Sequence, residues 1–274
     1  MNKAYVRWIL AIILTLGAAV YQRLTGPTHP LRGTVTIEQN EIDYKFLRSH
    51  GGEGDQPVEF TLADTSYRAF LLYRRYRVDS VYTALPMKRE GNVLRGFLPH
   101  QPPAGKLEYV IELEKAGQTY LIPEKRSVVT RFKGHVPKGY LIPHIFFMFL
   151  AMLFSSVTLF EALTATQKVK MYTIITTIIL FIGGMIFGPL VQKMAFGEYW
   201  TGIPFGWDLT DNKTLFALIG WLIALVAVWK GEIKKRRWWV VGAAIILLII
   251  FSIPHSMMGS ELDYSKMEVT TGKL

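Results

Sequence analysis

Apolar positions along the chain follow two rhythms. Residues 8–21, 141–163, 171–191, 215–229 and 238–253 are nearly continuous in apolar side chains. Spanning a bilayer core takes about 20 apolar residues in a helix. Within lipid, a helix also satisfies its own backbone polar groups. The five stretches therefore predict transmembrane helices, the shorter ones completed by interfacial Trp and Tyr. Residues 31–137 follow the other rhythm. Leu107, Tyr109, Ile111 and Leu113 fall on alternate positions, which is the period of a half-buried strand. A Glu-Lys-Ala-Gly turn follows, and residues 118–123 return as the hairpin partner. Further strands are predicted over 33–37, 58–62, 69–77, 93–98 and 127–132. Short strands divided by Gly, Pro, Asn and Asp turns predict an antiparallel sandwich of immunoglobulin-like type.

The expected fold is thus an α+β membrane protein. A β-sandwich, residues 31–137, is inserted between an N-terminal helix, residues 1–23, and a four-helix transmembrane domain, residues 140–255. An aromatic loop, 192–214, and a polar tail, 256–274, complete it. The first helix is read as an anchor or an uncleaved signal-like helix. A cleaved signal peptide is the alternative, because Gly17, Ala18 and Ala19 form a small-residue stretch.

Charge then orients the chain. The formal net charge is +10, and its placement points to topology rather than nucleic acid. Lys168 and Lys170 lie between the second and third stretches. Lys230, Lys234, Lys235, Arg236 and Arg237 lie between the fourth and fifth. Lys3 and Arg7 precede the first. All three segments fall on one side, which the positive-inside rule assigns to the cytoplasm. The β domain, the aromatic loop and the tail are then extracytoplasmic, in a bacterial inner membrane. The sequence has no cysteine. Disulfides, cysteine-bound zinc, iron–sulfur clusters and CxxCH haem attachment are therefore excluded within the chain.

Candidate chemistry gathers at the outer side. Ile-Pro-His occurs twice, at Ile142-Pro143-His144 and Ile253-Pro254-His255, at the start of one span and the end of another. A histidine at the membrane boundary is costly unless solvated or partnered. Two at one depth suit axial ligation of haem or a shared metal ion. The loop between them carries Tyr199, Trp200 and Trp207 as an aromatic platform, with Asp208 and Asp211 as acids for a metal or for orienting a histidine. The structural alternative makes Thr210 or Asp211 a helix N-cap and the tryptophans interfacial belt residues. In the β domain, Tyr73-Arg74-Arg75-Tyr76-Arg77 reads as an exposed strand face, and His50 and His100 as loop residues.

Residues 140–256 resemble the haem-handling membrane proteins of cytochrome c biogenesis. That family carries an outer loop of the kind Trp-Gly-x-Trp-Trp-x-Trp-Asp, flanked in sequence by two haem-binding histidines. Phe196-Gly197-x-Tyr199-Trp200 and Trp207-Asp208 resemble the halves of that segment, and His144 and His255 the flanking pair. Phe196 stands at the leading tryptophan, and Thr-Gly-Ile-Pro-Phe-Gly separates the halves. The chain also resembles uncharacterised multi-pass bacterial membrane proteins.

Phosphate-binding loops, dinucleotide fingerprints, HExxH and GxSxG are all missing from the sequence. The leading expectation is a non-enzymatic outer-face site for haem b or a transition-metal ion, serving cytochrome maturation or a respiratory complex. His144, His255, Tyr199, Trp200, Trp207 and Asp208 would contact the cofactor, and Asp211 would join a metal set. The rival expectation has no cofactor: an accessory or assembly subunit that docks other envelope proteins through its β domain. In both, the lipid bilayer is a partner and nucleic acid is not.

Overall fold

The computed structural model describes residues 3–38, 40–254 and 259–270. Its architecture is α+β. Helix α1 is Lys3–Thr25. Eleven strands follow, and then the remaining helices: α2 Lys138–Leu163, α3 Val169–Phe181, α4 Gly188–Phe196, α5 Leu209–Lys230 and α6 Ile233–Ser252. A π-helical segment, Ile182–Phe187, joins α3 to α4 without interruption.

Among the described residues, four helical segments are long and apolar enough to cross a membrane: Lys3–Thr25, Lys138–Leu163, Val169–Phe196 and Leu209–Lys230. Helix α6 opens with Lys234, Lys235, Arg236 and Arg237 and is apolar from Trp238 onward. Its buried side packs against α5 and α2. Trp221, Ala217, Ala224, Val240, Ala244 and Leu247 form the shared core, with small residues letting the backbones approach. Outward faces are apolar as well. Ile219, Leu222, Ile223 and Val226 on α5, and Ile12, Ile13 and Leu16 on α1, are all exposed. Such a surface would be unfavourable in water and is satisfied by lipid. Helix α1 belongs to the packed bundle, with Trp8 meeting Phe154 and Tyr172 edge-on at 5.7 and 6.2 Å.

In the β unit, β5 (Arg68–Arg75) and β9 (Lys106–Lys115) are the central pair of a six-stranded sheet. β3 (Ser49–Gly51) and β11 (Val128–Lys133) extend it on one side, and β6 (Thr83–Pro86) on the other. β10 (Gln118–Ile122) returns along β9. The turn between them is Ala116-Gly117, both residues at positive φ, as a two-residue hairpin requires. β4 (Gln56–Thr61), β8 (Val93–Leu98) and β7 (Lys88–Glu90) make a three-stranded sheet, and β1 (Leu31–Ile37) pairs with β2 (Asn40–Phe46). Phe46, Leu71, Leu94, Leu98, Leu107, Tyr109, Ile111 and Phe132 fill one core among these sheets. No sheet closes into a barrel among the described residues.

Two expectations need correction. The loop expected over 192–214 is shorter, because α4 continues to Phe196 and α5 already begins at Leu209. His50 lies in strand β3 rather than a loop, its ring set against Phe132 at 5.5 Å. The tail is partly structured, with β12 (Glu261–Asp263) and β13 (Glu268–Thr270) forming a hairpin. The arginine cluster is an ordinary strand face, as Arg74 pairs with Glu108, and Arg75 with Asp79 at 2.7 Å.

Candidate functional site

The β-unit end of the bundle is assembled from three distant parts of the sequence. Loop 197–208, strand β11 and the tail converge there, and Asp208 joins two of them. One of its carboxylate oxygens accepts from the backbone N–H of Thr210 at 2.8 Å and of Asp211 at 3.4 Å. Asp208, rather than Thr210 or Asp211, is therefore the N-cap of α5. Its other oxygen accepts from the backbone N–H and hydroxyl of Ser260, each at 3.0 Å.

Asp211 braces the loop from inside α5. Its carboxylate accepts from the Thr201 N–H at 2.6 Å, the Thr201 hydroxyl at 3.1 Å and the Gln192 amide at 2.9 Å. Asn212 accepts from the Ile203 N–H at 2.7 Å. Buried polar groups in a low-dielectric setting need such partners, and these are satisfied.

Arg131 connects the β unit to this network. Its guanidinium donates to the Ser260 carbonyl, and its face lies 4.1 Å from the Phe196 ring centroid. Burial lowers its pKa to about 10, opposed by the nearby charges of Asp208 and Glu261. Lys106 pairs with Glu261, and Tyr264 accepts from the Lys106 N–H at 3.2 Å. Gly134 donates its N–H to the Ala195 carbonyl at 2.9 Å. An added Cβ at Gly134 would collide with the Met194 carbonyl, so only glycine admits this approach. The β unit is thereby fastened to the helices by backbone and side chain alike.

The aromatic residues divide. Trp200 is half-buried and donates its indole N–H to the Ile203 carbonyl at 3.0 Å. Trp207 and Tyr199 face outward, at 70% and 55% exposure, beside Phe205 at 79%. The Lys193 ammonium sits 5.3 Å from the Tyr199 ring. The three exposed rings suit an interfacial belt.

His144 differs from its neighbours. It sits in the second turn of α2, and its Nδ1 lies 2.9 Å from the Gly183 carbonyl oxygen. That oxygen belongs to the π segment and also accepts from the Gly188 N–H. A carbonyl only accepts, so Nδ1 carries the proton and Nε2 keeps its lone pair. Small residues make room for the ring. A Cβ on Gly183 would meet Met148 and Phe147 at 3.0 Å, and one on Gly188 would lie 3.8 Å from the His144 ring. Two cavities flank the histidine. One, about 130 Å³, is lined by Arg131, Gln192, Trp200, Asp208 and Asp211. The other, about 170 Å³, is lined by Gln22, Phe149, Lys213, Ile250 and Phe251. His144, Met148 and Thr214 border both.

Of the residues singled out in the sequence, Trp200, Asp208, Asp211 and His144 share the first cavity, while Tyr199 and Trp207 do not line it. His255 lies outside the described residues. Among the described residues, no three His, Cys, Asp or Glu side chains are grouped to hold a metal ion. Sequence reasoning missed Gln192, Arg131 and Ser260. A signal existed for Gln192, which with Lys193 interrupts the apolar run of α4.

The chain matches no protein-family model, and no curated protein is significantly similar to it.

Proposed function

We propose that the chain is a multi-pass protein of the bacterial inner membrane that holds a small ligand at its outer end through His144. One observation carries the reading. The Nδ1–H donation to Gly183 fixes the imidazole so that Nε2 is an available acceptor beside two cavities. Ligand-binding histidines are held this way, by a backbone carbonyl on the other nitrogen. A π segment in a helix commonly accompanies a functional position.

In this reading the basic loops face the cytoplasm, α6 is the fifth span, and the β unit is an immunoglobulin-like sandwich outside the membrane. The resemblance to haem-handling proteins names haem as the ligand, and the histidine chemistry admits a transition-metal ion. Asp208 and Asp211 act as braces, since their oxygens already serve Thr210, Ser260, Thr201 and Gln192. The cavity of about 130 Å³ is below the roughly 300–1,000 Å³ of sites that enclose a cofactor. A haem held by His144 would therefore lie outside that cavity, whereas a metal ion fits within it, completed by water.

The test is the absorption spectrum and metal content of protein purified from haem-replete cells. A Soret band, or a bound metal, that disappears in His144→Ala supports the reading. The rival is an accessory subunit, and the fastening of the β unit to the helices favours it, because that joint presents a rigid outer surface. Its signature is a co-purifying partner retained in full by His144→Ala.

A further inference from the structure

The second cavity beside His144 poses a problem of charge. Lys213 lies one turn inside α5 and is 6% exposed. Its ammonium donates to the Ile253 carbonyl at 2.7 Å. No carboxylate among the described residues lies within 4.0 Å of it, and Asp208 acts on it only through space. The helix N-terminus carries partial positive charge, so a lysine here stands at the unfavourable end of the dipole. Ionisable groups within spans are expensive and are normally compensated.

Gln22 lines the same cavity. The Gln22 amide nitrogen is buried and has no hydrogen-bond partner among the described residues. The remaining walls are apolar, from Ile145 and Phe149 on α2 and Ile250 and Phe251 on α6. Ile145 and Phe149 are each 45% exposed, so the groove opens toward lipid. Unused donors and a positive helix end at the closed part, with an apolar floor at the open part, call for a negative head on a hydrocarbon chain.

We infer that this groove binds an anionic amphiphile, a carboxylate or phosphate head on an acyl chain. Lys213 and Gln22 hold the head, and the chain lies along Ile145, Phe149, Ile250 and Phe251. The ligand supplies the charge that Lys213, and the acceptor that Gln22, lack among the described residues. The site stands beside the proposed His144 ligand and does not depend on it.

The experiment reconstitutes the full chain in phosphatidylcholine nanodiscs doped with either oleate or phosphatidylglycerol. Native mass spectrometry then reads the retained lipid. Retention of one anionic amphiphile is expected, and the two dopants separate a carboxylate head from a phosphate one. Lys213→Met is expected to lower retention about tenfold, which is about 1.4 kcal/mol of binding, and Lys213→Arg to preserve it. Unchanged retention in a folded Lys213→Met protein overturns the inference. So does displacement of the lipid by inorganic phosphate at equal concentration, since the acyl chain would then contribute nothing. If Lys213→Met does not fold, Gln22→Leu decides by the same criterion. Absence of any His144-dependent bound species from the wild type, with lipid retention intact, would sink only the proposed function.

Discussion

The two ends of the helical bundle treat buried charge in opposite ways. At the basic end, Arg7 of α1 meets the fully buried Glu161 of α2 at 2.9 Å, and Thr166 donates to the same carboxylate. Arg237 caps the end of α2 through the Leu163 carbonyl at 2.9 Å, and Lys170 lies 4.1 Å from the Trp229 ring. Each of these charges has a counter-charge, a carbonyl or an aromatic face. At the β-unit end, Asp208 and Asp211 are compensated just as fully, but by neutral donors from the loop, the tail, α4 and the first turn of α5. Among the described residues, His144 and Lys213 have only backbone carbonyls, and cavities beside them. Full compensation marks a joint, whereas a charge or lone pair left facing a cavity marks a place for something else.

The largest expected effect tests the joint at the basic end. Glu161→Ala strands Arg7 without its partner and should cost about 3–5 kcal/mol, the usual result of breaking a buried ion pair. Thermal unfolding in detergent measures it. The Arg7→Met, Glu161→Met double variant should recover most of the loss, and no recovery would break the comparison. Next comes Asp208→Ala, which removes an N-cap and two bonds from Ser260. A loss of about 2–3 kcal/mol is expected. Proteolysis should also show the tail released from the β unit. His144→Ala is expected to cost only about 1 kcal/mol, the value of a single net hydrogen bond. A loss as large as that for Glu161→Ala would make His144 a structural residue.

The smallest effect lies in the β unit. Lys115 bridges Glu38 at 2.8 Å and Asp64 at 2.9 Å. The Lys115 contact holds the Glu38 carboxyl below its ordinary pKa, and Ser66 with Lys115 does the same for Asp64. Carboxylates with depressed folded pKa values stabilise above their unfolded values near pH 4 and lose that stabilisation as pH falls further. The thermal midpoint should therefore drop on acidification below about pH 4, with a shallower slope in Lys115→Ala.

Much of this was legible in the sequence, and the failures are instructive. Period-two alternation located β9 and its hairpin partner, because one face of each is buried. Strand β2 was missed although Ile42, Tyr44 and Phe46 alternate with Glu41, Asp43 and Lys45. The helices were found from apolar continuity alone. That criterion also hid the second site. Span four was started at Leu215, the first continuous apolar residue, and only the alternative with an N-cap at Thr210 or Asp211 put Lys213 in the helix. The N-cap at Asp208 starts the helix earlier and draws Lys213 into the membrane-spanning segment. The repeated Ile-Pro-His pointed to His144, but its orientation was not legible. That depends on the Gly183 carbonyl thirty-nine positions away, exposed by the π segment. Gly183-Gly184 and Gly188-Pro189 were the only trace of it in the sequence.

The central claim is that His144 holds a ligand at the outer end. Purified wild-type and His144→Ala proteins should be compared directly by absorption spectroscopy, metal analysis and native mass spectrometry. The account predicts a bound species in the wild type that is absent from a His144→Ala protein of nearly unchanged thermal midpoint. Identical bound content in the two proteins would contradict it.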